Sequence, residues 1–306
     1  MSCAYPEESE VPYARNGAID VYYETFGNPG DPALLLVNGL GSQCINYHAK
    51  WCERFAARGL FTIRFDNRDV GLSAKLDHYS PDVAAALQAL QEGREPAVAY
   101  RLSDMAADAL AILDDLGIAR AHVMGVSMGG AIVQQLAIDH PGRLLSMTSV
   151  MSSTGDSDVG QMSPEGLAVI LAIATAPATT DRASYIGMYQ QLNRISGSPA
   201  YRDADRIAQL AGEAFDRCFC PAGVARQVLA VLAGGSRSSA LRSVQVPALV
   251  MHGDADTLVD ISGGRRTAEC IPGARFVVLA GLGHDYPPAY WDRWVQLVAD
   301  HAGVTA

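Results

Sequence analysis

Short apolar runs alternate with amphipathic segments along most of the chain, and this alternation limits the possible folds more than any other feature. Ala33–Val37 is apolar at every position, as in a strand that is buried on both faces. Asp104–Leu116 carries apolar residues at helical spacing and is followed by a glycine. Strands that alternate with helices form a mostly parallel sheet, because each helix returns the chain to the edge where the next strand starts. The sequence therefore predicts an α/β fold with helices flanking a central sheet.

Composition and periodicity place the individual elements. Strands are expected at Ile19–Phe26, Ala33–Val37, Leu60–Phe65, Ala121–Met124, Leu144–Met151, Ala248–His252 and Arg275–Leu279. Helices are expected at Tyr47–Arg58, Asp104–Leu116, Met128–His140, Ser262–Cys270 and from about Pro288 to His301.

One long segment interrupts the alternation. It carries helical patterns and no clear strand, with helix starts predicted at Ser163, Asp181 and Pro221. We predict that this segment, residues 152–243, is a helical lid inserted after the sixth strand. Residues 1–151 and 244–306 would then form the core.

The charge balance and the apolar runs exclude several classes of partner. The 306 residues carry 23 Lys and Arg against 33 Asp and Glu, a net charge of −10. An acidic surface repels the phosphates of nucleic acids, so we expect no nucleic-acid partner. No apolar stretch is long enough to span a bilayer, and the acidic first residues lack the apolar segment of a signal peptide. The sequence predicts a cytoplasmic protein without a transmembrane segment, and it permits a homodimer.

The six cysteines are scattered and do not form a metal-site pattern. The tightest spacing, Cys218-Phe219-Cys220, is not that of a zinc knuckle, and no second pair follows it. Without a secretion signal, reduced thiols are the expected state. We predict neither a metal nor another cofactor.

Residues 125–129, with the sequence GVSMG, give the strongest chemical signal. A predicted strand precedes this G-x-S-x-G motif and a predicted helix follows it, which is the context the motif requires. The glycines let strand and helix meet closely, so that the hydroxyl of Ser127 is exposed at the turn. The helix N-terminus favours negative charge there. We predict that Ser127 is a nucleophile and that the N–H of Met128 stabilises the oxyanion.

A serine nucleophile needs a base, and the base needs a carboxylate that orients it. Of the seven histidines, His284 lies in a glycine-rich loop after the last predicted strand, at the edge where open α/β sheets bind ligands. Asp254 and Asp256 both follow the preceding strand. We favour Asp256 as the orienting carboxylate because it lies deeper in the turn, and Asp254 would then form the turn. Asp254 remains the alternative candidate for the orienting carboxylate.

The loop after the strand Ala33–Val37 is a candidate for the second oxyanion donor. Its sequence is Asn38-Gly39-Leu40-Gly41, and the glycines let the backbone approach a bound carbonyl. We predict that the N–H of Leu40 is this donor. Asn38, Gly39 and Met128 are predicted to line the substrate pocket.

These motifs resemble the α/β-hydrolase superfamily, and within it the bacterial carboxylesterases related to anthracycline methylesterases and mycobacterial lipase/esterase proteins. The resemblance runs from about Ile19 to Ala302. The segments that carry it are LLLVNGLGS (34–42), RFDNRDVGLS (64–73), HVMGVSMGG (122–130), CPAGVARQ (220–227), MHGDADTLV (251–259) and GLGHD (281–285). The order Ser, Asp, His along the chain is also that of the superfamily.

The resemblance implies further roles and one departure. It implies a cleft between the lid and the sheet, and it implies that Asp66 and Arg68 brace the oxyanion loop. The position of Asn38 is often histidine in such families, which alters the hydrogen bonds near this loop.

The expected function is that of a serine hydrolase that cleaves small carboxylic esters through an acyl-enzyme. The apolar lid sequence favours an acyl or aromatic substrate. A serine triad also serves lipases and phospholipases, thioesterases, perhydrolases and C–C bond hydrolases, and some proteins of this fold are ligand receptors with little turnover. Pocket polarity separates these classes, and the sequence alone does not give it.

Overall fold

A computed structural model describes residues 12–304, and the expectations for the first residues, Cys3 included, lie outside this part. Eight strands form one sheet in the order β1-β2-β4-β3-β5-β6-β7-β8. The strands are β1 (Tyr13–Asn16), β2 (Ile19–Phe26), β3 (Ala33–Val37), β4 (Phe61–Phe65), β5 (Ala121–Val126), β6 (Leu144–Val150), β7 (Ala248–Gly253) and β8 (Arg275–Leu279). β2 runs antiparallel to β1 and β4, and all other neighbours are parallel. The predicted mostly parallel sheet is confirmed.

Helices lie on both faces of this sheet and in the connections between its strands. They are α1 (Ala49–Ala56), α2 (Val83–Gln91), α3 (Leu102–Asp115), α4 (Met128–Asp139), α5 (Pro164–Ala174), α6 (Arg182–Ser196), α7 (Ala204–Arg217), α8 (Pro221–Ala233), α9 (Ser238–Leu241), α10 (Ser262–Cys270) and α11 (Trp291–Ala302). α1 and α11 lie on one face, and α3, α4 and α10 lie on the other. Within residues 12–304, no helix is both long enough and apolar enough to cross a bilayer.

The central strand β3 explains why the apolar runs are continuous. Leu34 and Leu36 belong to the buried cluster that contains Trp51 of α1 and Trp294 of α11. Leu35, which points the other way, belongs to the cluster formed with α3 and α4. Both faces of the strand are therefore buried, and each side chain removed from water contributes about 1.5–3 kcal/mol.

The segment between β6 and β7 is helical, with α5 to α9 in sequence. The predicted helix starts are confirmed: the side chains of Ser163 and Asp181 accept hydrogen bonds from backbone N–H groups of the first turn, and Pro221 opens α8. α7 was not predicted, although Asp203 caps it in the same way. β1 and α2 were also missed.

The expectation of reduced cysteines is wrong at one position. Cys44, Cys52, Cys220 and Cys270 carry free thiols, whereas Cys218 is disulfide-bonded. The spacing of cysteines along a sequence does not reveal which of them meet in the fold.

Candidate active site

Ser127 occupies a sharp turn between β5 and α4. Its backbone has φ 57° and ψ −119°, a conformation that residues other than glycine rarely adopt. The Ser127 N–H donates to the carbonyl of Val150 on β6 (2.9 Å), which fixes the turn to the neighbouring strand. Strain of this kind is typical of functional sites, where the surrounding structure maintains it.

Two glycines allow this turn to form. A Cβ on Gly125 would lie 2.0 Å from the carbonyl oxygen of Gly129, and a Cβ on Gly129 would lie 2.1 Å from that of Val37. The start of α4 is therefore packed directly against the end of β3. This contact brings the loop after β3 beside Ser127, since a Cβ on Gly39 would lie 3.3 Å from the Cβ of Ser127.

His284 and Asp256 meet across two loops. Nδ1 of His284 donates to Oδ2 of Asp256 (2.7 Å), and Oδ1 of Asp256 accepts from the N–H groups of Leu258 and Val259 (both 2.9 Å). Burial alone would raise the pKa of Asp256. The charge of His284 and the hydrogen bonds outweigh burial, so this pKa lies well below its ordinary value. Asp256 is therefore an ionised carboxylate that is hydrogen-bonded to the ring of His284.

Asp254 has a different contact. Its Oδ1 accepts from the N–H of Gly281 (2.6 Å), so this exposed side chain joins the loop after β7 to the loop after β8. His252 has no predicted role. Its Nε2 donates to the carbonyl of Val259 (2.8 Å) and lies 3.4 Å from Asp256 Oδ2. His252 thus helps to hold the Asp256 loop.

The helical segment fixes the loop that carries His284. The N–H of His284 donates to the carbonyl of Ser196 at the end of α6 (2.6 Å). The N–H of Gly283 donates to the hydroxyl of Ser198 (2.9 Å), and the N–H of Ser198 donates to the carboxylate of Asp285 (3.1 Å). These contacts join the segment between β6 and β7 to the His284 loop, and no local sequence signal predicts them.

Two backbone N–H groups next to Ser127 are available to a ligand. Neither the N–H of Leu40 nor that of Met128 donates to an acceptor within residues 12–304. The loop that carries Leu40 is held by Gln227 of α8, which is fully buried. Gln227 Oε1 accepts from the N–H of Gly41 (2.8 Å), and its Nε2 donates to the carbonyl of Arg68 (2.8 Å). Gln227 thus positions the loop and makes no contact with a reacting atom.

Replacing Gln227 by methionine is expected to lower kcat for the predicted ester hydrolysis by about 10–100-fold and to change KM less. The reason is that the freed loop no longer holds the Leu40 N–H in place as the predicted oxyanion donor. Steady-state kinetics normalised to folded protein measure this effect. Gln190→Met is the matched control, because Gln190 joins α6 to α7 through the carbonyl of Ala204 and does not line the cavity. A Gln227→Met variant with a lower Tm and an unchanged kcat would reduce Gln227 to a structural role.

The two brace residues implied by the resemblance have separate partners. Oδ1 of Asp66 accepts from the N–H of Cys44 (2.6 Å). Cys44 follows the segment 34–42, which contains Leu40, by two residues. The guanidinium of Arg68 instead pairs with Asp108 on α3 (2.6 and 2.7 Å). Of these two residues, only Asp66 contacts the region of the loop that carries Leu40 through its side chain.

Ser127 and His284 line a common cavity of about 190 Å³. Its other walls are Gly39, Leu40, Gly41, Ser42, Gln43, Asn46, Val126, Met162, Ile170, Ile173, Tyr185, Tyr189, Leu192, Asn193, Ser196, Arg206, Ile207, Leu210, Ala211, Ala214, Val224, Leu258, Val259, Asp285 and Tyr286. Half of this wall comes from the helical segment, and most of the wall is apolar.

Two residues expected at the pocket are not among those that line it. The side chain of Asn38 is buried and donates to the carbonyl of Phe65 (3.3 Å). The side chain of Met128 packs in the core cluster beneath the start of α4. Gly39 does line the cavity, because its backbone passes directly beside Ser127.

Sequence comparison agrees with this geometry. The family model described as the alpha/beta hydrolase fold matches residues 32–286. The chain belongs to the α/β-hydrolase fold family. The family predicted from the sequence motifs is thus confirmed.

Relatives of this chain are named for different activities. Rhodomycin D methylesterase DnrP of Streptomyces peucetius is 29% identical over 304 residues, which cover 94% of this chain and 96% of that protein. The 2-hydroxy-6-oxononadienedioate/2-hydroxy-6-oxononatrienedioate hydrolase of a Pseudomonas species is 25% identical over 293 residues, with 92% and 91% covered. The crystal structure of a hydrolase from Pseudomonas aeruginosa PA01 has a TM-score of 0.72 at 21% identity and covers 96% of this chain and 98% of its own, which shows the common fold. The predicted link to anthracycline methylesterases is confirmed by the first of these.

Proposed function

We propose that this protein hydrolyses carboxylic esters, with Ser127 as nucleophile, His284 as base and Asp256 as the residue that orients His284. The observation that carries the proposal is the arrangement of these three residues. Nδ1 of His284 is bonded to a buried carboxylate, and His284 lines the same cavity as the strained Ser127. Nucleophilic catalysis by serine needs a base near the hydroxyl and a carboxylate that orients the base, and this arrangement supports those roles.

The first chemical step forms an acyl-enzyme. Ser127 Oγ attacks the ester carbonyl while Nε2 of His284 takes the hydroxyl proton, and Asp256 stabilises the resulting imidazolium. The N–H groups of Leu40 and Met128 donate to the oxyanion of the tetrahedral intermediate, where each such donor contributes about 100–1,000-fold to the rate. When the intermediate collapses, the C–O bond to the alcohol breaks and His284 gives its proton to the alcohol.

The second step releases the acid. A water molecule gives a proton to His284 and attacks the acyl carbonyl, and the bond to Ser127 Oγ then breaks as that oxygen recovers the proton. The acyl group leaves as a carboxylic acid. No cofactor enters either step.

The relatives and the cavity support esters as the substrate class. A methylesterase matches nearly the whole chain, and the apolar cavity wall suits the acyl or aromatic part of a small ester. We propose that residues 152–243 act as the lid over this cavity, since α5 to α8 supply half of its wall and also hold the His284 loop.

Cleavage of a C–C bond is the second candidate, because the Pseudomonas relative is named for a 2-hydroxy-6-oxo dienedioate. The experiment compares 4-nitrophenyl acetate, butyrate, octanoate and palmitate with such a dienedioate. The proposal predicts turnover of the shorter esters and little turnover of the dienedioate. Cleavage of the dienedioate without any ester turnover would contradict it.

A further inference from the structure

Arg206 on α7 lines the same cavity as Ser127 and His284. Its side chain is half-buried, and its guanidinium carbon lies 5.8 Å from the ring centroid of Trp291. Across the described residues, 12–304, this guanidinium forms no ion pair and donates no hydrogen bond. A residue that lines the cavity thus carries a cation whose donor groups are free.

Most buried or half-buried arginines of this chain pair with a carboxylate, and the buried Arg237, which does not, donates hydrogen bonds to Gln134 and to backbone carbonyls instead. Arg217, on the same helix, pairs with Asp66 (2.6 Å), and Arg226 pairs with Asp69 (2.7 Å). A buried guanidinium is costly unless an anion and hydrogen bonds compensate it. Arg206 differs from these residues in lacking such a partner while facing a cavity that can hold one.

The two acids near Arg206 are already engaged. Asp203 caps α7 and accepts from the backbone N–H of Arg206 (2.9 Å). Asp285 accepts from the N–H and hydroxyl of Ser198 and from the amide of Asn193 (3.3 Å). Burial lowers the pKa of Arg206, and these carboxylates offset that effect only in part. A ligand carboxylate would supply the missing partner.

We infer that Arg206 is an anion-binding subsite and that the preferred substrates are esters carrying a carboxylate on their acyl or alcohol part, away from the bond that is cleaved. The inference rests on the proposed ester hydrolysis. A guanidinium presents paired N–H donors that match a carboxylate, and the largely apolar walls strengthen their attraction. The stack on Trp291 holds the guanidinium in place.

Two matched pairs of esters test the subsite. Mono-4-nitrophenyl adipate is compared with 4-nitrophenyl hexanoate, and 4-carboxyphenyl butyrate is compared with phenyl butyrate. Wild type should prefer the anionic member of at least one pair. Because a hydrogen-bonded charge pair is lost, Arg206→Gln should lower that preference, measured as a ratio of kcat/KM values, by about 10–100-fold. Arg206→Lys keeps the charge, so its preference for the anionic ester should lie between that of wild type and that of Arg206→Gln.

The control is Arg194→Gln, at an exposed arginine of α6 that does not line the cavity, and it should leave both ratios unchanged. If Arg206 only packs against Trp291, its replacement will slow both members of each pair equally. Ratios that change by less than about threefold in Arg206→Gln would overturn the subsite while leaving ester hydrolysis intact.

Binding to Ser127→Ala separates this inference from the proposed function. Calorimetry compares monomethyl adipate with methyl hexanoate, and no turnover is needed. Tighter binding of the anionic ester that is lost in the double variant with Arg206→Gln would support the subsite, even if wild type hydrolysed none of the esters above. Equal binding of the two esters would overturn it.

Discussion

Ser127→Ala is expected to lower kcat/KM for 4-nitrophenyl butyrate by about 10⁴–10⁶-fold. The variant loses the oxygen that becomes bonded to the acyl group, so the two-step path is closed. The residual rate would come from the Leu40 and Met128 N–H groups and from binding alone. The loss should appear in kcat, while KM changes little.

The fold should survive this change. Alanine at position 127 must still adopt the φ of 57° that Gly125, Gly129 and the bond to Val150 impose, so thermal unfolding of the variant reports directly on the turn. Ser239→Ala, at an exposed serine of α9, is the matched control and should keep wild-type activity. A folded Ser127→Ala variant that retains ester turnover would remove Ser127 from the mechanism.

Asp256→Asn is expected to lower kcat by about 10³–10⁴-fold. The asparagine oxygen can still accept from the N–H groups of Leu258 and Val259, so the loop is kept. Its amide would then face Nδ1 of His284, which favours the tautomer with the proton on Nε2. That tautomer cannot take the proton of Ser127.

Asp254→Asn is the matched comparison, because it makes the same chemical change two residues away. Asp254 contacts the N–H of Gly281 and not His284, so kcat should change by less than about threefold. Steady-state kinetics of both variants at one pH decide between the two acids. A larger loss in Asp254→Asn than in Asp256→Asn would reverse their assignment.

Local sequence signals were sufficient for most of the sheet and for the turn at Ser127. β3 is apolar at each position because both of its faces are buried, and periodicity detects this directly. The turn at Ser127 depends on Gly125 and Gly129, which lie within two residues of it. Features of this kind can be predicted because their causes are adjacent in the chain.

The supporting contacts could not be predicted in the same way. The bond between Gly41 and Gln227 joins residues 186 positions apart, and the bond between Ser198 and Asp285 joins residues 87 apart. The segment 220–227 was recognised as a mark of the family, yet its sequence does not show which backbone group Gln227 meets. Gln227 and its neighbour Arg226 are the two polar residues of an otherwise apolar helix, and this was the only available signal.

α7 was missed for a related reason. Its amphipathic pattern is interrupted by Gly212, and five of its fourteen residues are charged. One of those charged residues, Arg206, lines the cavity. The polarity of a pocket depends on which face of a helix lies against the cavity, and tertiary packing determines which face this is.

The most direct test of the account is the site of covalent labelling by a fluorophosphonate probe, located by mass spectrometry of the digested protein. The probe reacts with an activated serine, so the account predicts one label on wild type, on the peptide that contains Ser127, and none on Ser127→Ala. Labelling should also be slowed strongly in Asp256→Asn. Folded wild-type protein that stays unlabelled, or a label on another serine, would contradict the central claim that Ser127 is an activated nucleophile.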